Sequence, residues 1–398
     1  MSMIKPEHSV NILGAHHGFT LMGGQPYAEV LRTVRDVVER RTGCQNIRLR
    51  VGVGLRWREA EEYIRFHKLD EAFGRGKALG IAPVDEGIPI ETEIGTFYGI
   101  KKAYDADWII HVHNNDIREL YLHRGVDRAM KPFAMAYARI ETRSAYHGTW
   151  ALRSGNYIAR NIYDSPLVQK RFAFSTFLVV SPSGVVGVDA DNNMLELSKR
   201  LDIHNMKTYG KMFRLLGKID KAIAVFDQAT PSSYSFASGI IFCNFFNAHV
   251  DLFDLDIPAG THLGYYAPIA KRQGIWTGYN PAIKAWVINY MWGGLPSSEL
   301  AETYPTIVVS REQADFLKAD TQNLFFMNHA VETENLETAM EFAHKIAGTD
   351  NVLVFDGTFG GLNVTKSLAD VLFEKAPLAS KEVDEQLLPK WMKQRGFE

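Results

Sequence analysis

Cysteine is scarce in this chain, and so are the features of an exported protein. The 398 residues include two cysteines, Cys44 and Cys243, which are far apart in sequence. So few thiols favour a reduced, cytoplasmic protein over a secreted one held together by disulfides. The amino-terminal residues MSMIKPEHSVNIL lack the charged and apolar regions of a signal peptide, so we expect no export.

Long apolar runs and a strong net charge are also lacking. The most apolar stretch, GIIFCNFFNAHVDLF, is interrupted by Asn and His, which argues against a membrane span. The formal net charge is -2, so no basic field indicates a nucleic-acid partner. We therefore expect a small-molecule partner and neither a membrane nor a nucleic acid.

Strand and helix signals alternate along the chain. With 46% hydrophobic and 23% charged residues, it is long enough for two domains, each with its own core. Apolar runs such as SVNILGAHHG and IRLRVGVG alternate with helical patterns such as PYAEVLRTVRDVVERRTG and WREAEEYIRFHKLDEAF. This βαβα order predicts an α/β fold with mostly parallel sheets flanked by helices.

The second half of the chain repeats the signal. A hairpin is indicated by FAFSTFLVVSPSGVVGVDADNN, and a second α/β unit begins at KAIAVFDQATP. We predict two α/β domains, residues 1–214 and residues 215–398, with a cleft between them. The first is expected to hold the cofactor or metal site, and the second to line the substrate cleft.

The densest group of chemically active side chains follows one predicted strand, DADWIIHVH. Within one supersecondary unit lie His111, His113, His123, Lys131 and His147. Imidazole and amine groups are the usual metal ligands, proton carriers and covalent handles. Because residues at the carboxyl end of a strand converge on one pocket, we predict the functional site here.

Two of these histidines favour a metal. His111 and His113 are separated by one residue, so on a strand both face the same side and one ion can use both. A zinc site would add His16 or His17 from AHHGFT, the loop after the first strand. The alternative is a paired polar edge at a strand end, since no third ligand stands at a fixed spacing.

The residue that follows Lys131 indicates where in the fold this lysine lies. Lys131 precedes Pro132, whose ring suits the first turn of a helix. At a helix N-terminus Lys131 is a candidate nucleophile or phosphate anchor, and the alternative is a solvated surface lysine. His147 precedes Gly148 at a predicted helix end, where a protonated histidine is also simply favourable.

The order of features over roughly residues 10 to 240 resembles the nickel-dependent lactate racemase family, of which this chain would be a divergent member. Three stretches carry the resemblance: VGVGLR followed by the helix WREAEEYI, the segment IPIETEIGTFYGIKKAYDADWIIHV, and FLVVSPSGVVGVDADN. The fourth match is Lys131 with His147 sixteen positions further on.

The resemblance implies a specific cofactor, a nickel pincer nucleotide. In that family the lysine at the place of Lys131 holds the cofactor covalently, and the histidine at the place of His147 binds nickel. Thr20 is expected at the cofactor as well. The cofactor gives nickel one carbon and two sulfur donors, so a single imidazole completes a square plane. The family's reaction moves a hydride from the hydroxyl-bearing carbon of a 2-hydroxy acid while a histidine removes the hydroxyl proton.

The chain departs from the family at the bases. Arg56 stands where the family commonly has one of two catalytic histidines, and an arginine does not accept a proton near neutral pH. Either another residue takes that role, with His16, His17 and His67 as the candidates, or only one face of the substrate is handled. For the second catalytic histidine, His113 and His123 both compete.

Substrate recognition departs as well. Ser235 and Ser238 stand where the family tends to have a glutamine and a lysine, so the departures predict either a different acid, of which a sugar acid is one candidate, or a different chemistry. Arg56, Lys101 and Lys102 are candidates to bind its carboxylate, because a guanidinium fits that group in a bidentate way. The two lysines fit a solvated surface equally well.

The main prediction is an isomerase that acts as a racemase or epimerase of a 2-hydroxy acid. The sequence is compatible with a homo-oligomer. One alternative is a zinc-dependent hydrolase or lyase built on His111 and His113, and another is a non-catalytic relative that binds a nucleotide or a metal. In one unbroken helix Lys131 and His147 would lie about 24 Å apart. The main prediction therefore requires a break, which we expect at Arg139 to Thr142.

Overall fold

The structure, a computed structural model, contains two six-stranded sheets that are mostly parallel and flanked by helices, which confirms the predicted fold class. It describes residues 1–16, 24–54, 57–114, 129–150, 154–231, 245–246, 248–257, 272, 278–292, 298–320, 325–355 and 363–397. The chain divides into two units, with the change from the first to the second between Asp202 and Ile203.

The first unit contains one of the sheets and a separate hairpin. Its strands are β1 (Ser9–His16), β2 (Asn46–Val53), β3 (Ala78–Ile81), β4 (Gly87–Thr92), β5 (Gly95–Ile100), β6 (Trp108–Asn114), β7 (Phe172–Ser181) and β8 (Gly184–Asp191). The sheet order is β3-β2-β1-β6-β7-β8, with parallel pairs except for β7 and β8. Strands β4 and β5 form the separate hairpin, and β7 and β8 form the hairpin that the sequence predicts.

Helices cover this sheet, and α1 shows why they form. The helices of the first unit are α1 (Gly24–Thr42), α2 (Glu59–Phe66), α3 (Leu69–Phe73), α4 (Lys101–Tyr104), α5 (Lys131–Ala134), α6 (Ile140–Trp150), α7 (Ser154–Asp164) and α8 (Pro166–Gln169), and α9 (Met194–Leu216) begins in this unit. In α1 the apolar residues Leu31, Val34 and Val38 recur at helical spacing and are buried. Gly43, with a φ of 73°, follows the helix and ends it.

One predicted helix is two helices. The stretch WREAEEYIRFHKLDEAF forms α2 and α3, because Lys68 between them adopts a left-handed φ of 50°. Such a conformation interrupts the helical hydrogen-bond ladder. The carbonyl of His67 accepts a hydrogen bond from the Arg32 guanidinium of α1, so a tertiary contact supports the bend.

Strand β6 separates the two cores of this unit. Ile110 and Val112 belong to the core that contains α1, whereas His111 and His113 point to the other core, where both rings contact Phe177. Alternation along the strand produces this division. The predicted orientation of both histidines to one side is confirmed.

The second unit repeats the architecture. Its strands are β9 (Ala222–Pro231), β10 (Ile283–Trp292), β11 (Thr306–Val309), β12 (Ala330–Thr333), β13 (Val352–Phe355) and β14 (Asn363–Val364), in the order β12-β11-β10-β9-β13-β14. Its helices are α10 (Ser298–Thr303), α11 (Arg311–Lys318), α12 (Leu336–Ala347), α13 (Lys366–Glu382) and α14 (Leu388–Gln394), with a 3-10 turn at Phe326–His329 and a π-helical turn at Val383–Leu387. Within the described residues, no helix is both long and apolar enough to cross a membrane.

Helix α9 contributes to both units. Its first half buries Met194 and Leu201 in a core of the first unit, and its second half buries Met206 and Phe213 in a core of the second. The predicted division at residues 214–215 falls close to the end of this helix.

Candidate functional site

The strand order of the first sheet reverses between β1 and β6. From β1 the chain proceeds to β2 and β3 on one side, and it then returns to place β6 on the other side. In open α/β sheets, ligands bind outside the carboxyl ends of the strands at such a switch point. The carboxyl ends of β1 and β6 therefore mark the candidate site, and His113 lies at one of them.

His113 is held at this switch point by the neighbouring strand. The side chain is fully buried, and its Nδ1 lies 2.9 Å from the carbonyl oxygen of Ala15 on β1. A carbonyl can only accept a hydrogen bond, so Nδ1 carries the proton and donates it. Nε2 of His113 then keeps the lone pair that a proton acceptor needs.

Two buried phenols brace the same strand ends. The Tyr27 hydroxyl donates to the carbonyl of Val112 at 2.6 Å and accepts the backbone N–H of Ala15 at 2.9 Å. The Tyr137 hydroxyl donates to the carbonyl of Leu13 at 3.0 Å. Burial raises the pKa of both phenols, so they stay protonated and hold the ends of β1 and β6 in place.

Lys131 is the first residue of α5, as its position before Pro132 predicts. It is buried, with 5% of its surface exposed, so the solvated-surface alternative does not describe it. Its Nζ atom lies 5.8 Å from the ring centroid of Tyr146, a distance at which the negative face of the ring attracts an ammonium. The four-residue helix is too short to act on the amine through a helix dipole.

His147 lies next to the same ring. Its centroid is 5.9 Å from that of Tyr146, and its Nδ1 lies 2.7 Å from the carbonyl oxygen of Arg143 one turn earlier in α6. Nδ1 must therefore donate, so in the neutral imidazole the lone pair is on Nε2. Metal-binding histidines usually donate their other ring N–H to a carbonyl or a carboxylate in this way. The half-buried imidazole thus has the tautomer of a metal ligand.

The required break between Lys131 and His147 is present, but it lies earlier than predicted and shares only Arg139 with the predicted stretch. Helix α5 ends at Ala134 and α6 begins at Ile140, so the break spans residues 135–139, and Thr142 lies inside α6. The reason is tertiary. The segment is captured by β5, since the carbonyl of Tyr137 accepts the N–H of Ile100 at 2.8 Å and the carbonyl of Tyr98 accepts the N–H of Arg139 at 2.9 Å.

His111 has different surroundings from His113. The ring is fully buried among Phe133, Tyr137 and Phe177, with centroid distances of 5.4 to 5.7 Å. Nδ1 lies 3.1 Å from the Ser175 hydroxyl, and Nε2 has no hydrogen-bond partner among the residues that the structure describes. Burial, and then the neighbouring His113, lower the pKa of His111 well below its ordinary value. This imidazole is neutral and enclosed.

The described residues do not supply a complete set of zinc ligands around His111 and His113. In the part of the chain that the structure describes, no group of three histidine, cysteine, aspartate or glutamate side chains is placed to hold a metal ion. The proposed third ligands, the side chain of His16 and the whole of His17, lie outside the described residues.

We expect the buried state of His111 to make folding sensitive to acid. Below about pH 6.5 the unfolded chain takes up a proton that native His111 refuses, so the free energy of unfolding falls by up to about 1.4 kcal/mol per pH unit. The His111→Phe, Ser175→Ala double variant should lack this loss while matching the native protein within about 1 kcal/mol at pH 7. Urea unfolding at pH 7 and pH 5 checks this, and equal acid sensitivity of both proteins would contradict it. Zinc that is bound natively and lost in the variant would support the zinc alternative.

The remaining candidates divide into three groups. Lys101 and Lys102 form exposed ion pairs with Glu86 at 2.6 Å and Asp85 at 3.1 Å, which fits the surface alternative. His67 is buried and its Nδ1 lies 3.0 Å from Gln25 Oε1. The candidates that lie outside the described residues are Thr20, Arg56, His123, Ser235 and Ser238.

Sequence reasoning missed Arg143. In the sequence it is one more charged residue of a helix, but in the structure only 3% of it is exposed and its carbonyl orients His147. Sequence reasoning also missed Gly52, where a Cβ atom would lie 2.4 Å from the carbonyl oxygen of Ala136 in the break after α5. The glycine in VGVG was the available signal, since a glycine within a strand often marks a close backbone approach.

Comparison with known proteins adds little beyond this geometry. No protein family matches the sequence, and no curated protein matches it. Among solved structures, the chain is similar to the lactate racemase apoprotein from Thermoanaerobacterium thermosaccharolyticum, with a TM-score of 0.40 and 11% identity, over 89% of this chain and 86% of that chain. A similarity of this size carries no inference about activity, so the function has to follow from the side chains of the site.

Proposed function

We propose that the protein is a racemase or epimerase of a 2-hydroxy acid, with a sugar acid as the expected substrate type, and that it uses a nickel pincer nucleotide. The observation that carries the proposal is the placement of Lys131 and His147. The chain breaks its helix between them, so that the ammonium of one and the imidazole of the other are both neighbours of the Tyr146 ring.

The side chains fit this cofactor in two respects. A nickel ion that receives three donors from its nucleotide needs one imidazole from the protein, and His147 has the tautomer that leaves Nε2 as a ligand. Lys131 supplies a buried amine next to the Tyr146 ring for covalent attachment. When bound, the group would accept and return the hydride of the substrate carbon.

His113 would act as the proton acceptor for the substrate hydroxyl. Its Nδ1 proton is committed to the Ala15 carbonyl, so Nε2 is the atom that takes the proton. Its place at the switch point suits a residue that contacts substrate. His123 stays the competing base, and the Arg56 guanidinium is proposed to bind the substrate carboxylate.

The test is the mass of the protein made in a host that synthesises the cofactor. We expect a covalent adduct on Lys131 and about one nickel per chain, with the adduct absent from the Lys131→Arg protein. Lys101→Arg is the control, because Lys101 is an exposed ion-pair partner, and it should keep the adduct. Unmodified Lys131 in the native protein would overturn the proposal, and a bound nucleotide without turnover of any 2-hydroxy acid would favour the non-catalytic alternative.

A further inference from the structure

The Arg143 guanidinium joins two segments that flank the candidate site. On one side it donates from Nη1 to the carbonyl of Val53, the last residue of β2, at 3.2 Å and to that of the next residue, Gly54. On the other it donates from Nε to the carbonyl of Ala138 at 2.9 Å and from Nη2 to that of Ala136 at 3.3 Å. A single side chain therefore ties the end of β2 to the break between α5 and α6.

All of its described partners are neutral. The four acceptors are backbone carbonyls, and no ion pair links Arg143 to a carboxylate among the described residues. Burial lowers the pKa of Arg143 to about 10, so it remains a cation at neutral pH. A buried charge is costly unless its hydrogen bonds are satisfied. The four hydrogen bonds from Arg143 to the carbonyls of Val53, Gly54, Ala136 and Ala138, together called the Arg143 clamp, therefore have to be kept in the folded protein.

The two tied segments lead directly to proposed functional residues. Gly54 is followed in sequence by Leu55 and Arg56, and the break at residues 135–139 connects Lys131 with the helix of His147. The segments are also in close contact, because a Cβ atom on Gly52 would lie 2.4 Å from the Ala136 carbonyl oxygen. The Arg143 hydrogen bonds thus connect β2 to the segment after Lys131 at the place where the two backbones are in contact.

We propose that Arg143 is a positioning residue, which holds the end of β2 and the segment after Lys131 at the spacing that the reaction needs. This role rests on the proposed function, but the clamp can be tested without the cofactor. The planar guanidinium places its N–H groups in a rigid fork, and a lysine ammonium on a flexible stem cannot reach four carbonyls in two segments at once.

Hydrogen exchange of the cofactor-free protein tests the clamp directly. We expect Arg143→Met to raise the exchange rate of amides in residues 52–54 and 135–139 at least about tenfold, because both segments lose their shared donor. Arg50→Met is the matched control. Arg50 is also buried and also donates to backbone carbonyls, those of Leu49 and Lys77, but it lies earlier on β2. Arg50→Met should leave exchange in these two segments close to native. If Arg143→Met and Arg50→Met had the same exchange rates in residues 52–54 and 135–139, the proposal would be overturned.

Chemical rescue separates positioning from general loss of structure. Guanidinium at a non-denaturing concentration should restore the protection of both segments in Arg143→Ala, whereas methylammonium should not, since it lacks the planar fork. Should Arg143→Met not fold, Arg143→Lys replaces it and is expected to open the same two segments. A lysine variant with native exchange in both would then overturn the proposal.

In the cofactor-loaded protein, Arg143→Lys should lower kcat about tenfold or more with a smaller change of KM, as misplacement of reacting groups does. Unchanged kcat together with increased exchange would show that the clamp exists without serving the reaction, and so would also refute its positioning role. Absence of the adduct from native protein would instead count against the proposed function and leave the exchange result standing.

Discussion

We expect the His147→Ala protein to contain no nickel and to racemise its hydroxy acid at least about 10³-fold more slowly than the native protein. The loss should be this large because His147 is proposed as the one protein ligand of the metal, so no neighbouring side chain replaces it. Metal analysis of the purified protein and the rate of interconversion of the two stereoisomers measure both effects. The Lys131 adduct should persist, since the amine that forms it is unchanged.

A second histidine offers the matched control. His344 also lies in a helix, α12, and its Nδ1 lies 3.0 Å from the carbonyl oxygen of Thr349, so it has the same tautomer as His147. It belongs to the second unit and has no proposed role. His344→Ala should therefore keep both nickel and activity. Full nickel content in His147→Ala, or an equal loss in both variants, would show that His147 is not the ligand.

Local patterns were sufficient to predict the sheets and one side of the site. The apolar runs became β1, β2 and β6, and the spacing of His111 and His113 correctly placed both on one face. These features follow from strand periodicity, which depends on adjacent residues. What periodicity did not show is that two such similar histidines have different surroundings. The ring of His111 packs against Phe133 and Tyr137, whereas the ring of His113 bonds to the Ala15 carbonyl at the end of β1.

Features that depend on distant residues could not be predicted in the same way. The break after Lys131 was required on grounds of distance, but its position is determined by hydrogen bonds to β5, about forty residues earlier in the chain. Similarly, the bend between α2 and α3 occurs where Arg32 of α1 binds the His67 carbonyl. A helical pattern reports burial of one face and contains no information on which other strand or helix will compete for the backbone.

Gly52→Ala is expected to destabilise the first unit by about 3 kcal/mol, although it adds a single methyl group. The new Cβ atom would lie 2.4 Å from the carbonyl oxygen of Ala136, 3.0 Å from its carbonyl carbon and 3.2 Å from its Cβ atom. Backbone atoms cannot rotate away as a side chain can, so either β2 or the segment after Lys131 has to move. Urea unfolding, with the first unit followed by hydrogen exchange of β1 and β2 amides, measures the change.

The same substitution at Gly187 separates this contact from the general effect of alanine in a strand. Gly187 lies in β8, where no atom of the described residues stands within 4 Å of an added Cβ atom, and its φ is not in the left-handed region. Gly187→Ala should change the free energy of unfolding by less than about 0.5 kcal/mol. If Gly52→Ala proved equally mild, the end of β2 and the Ala136 backbone would not be in the contact described. The close spacing on which the Arg143 clamp depends would then be absent as well.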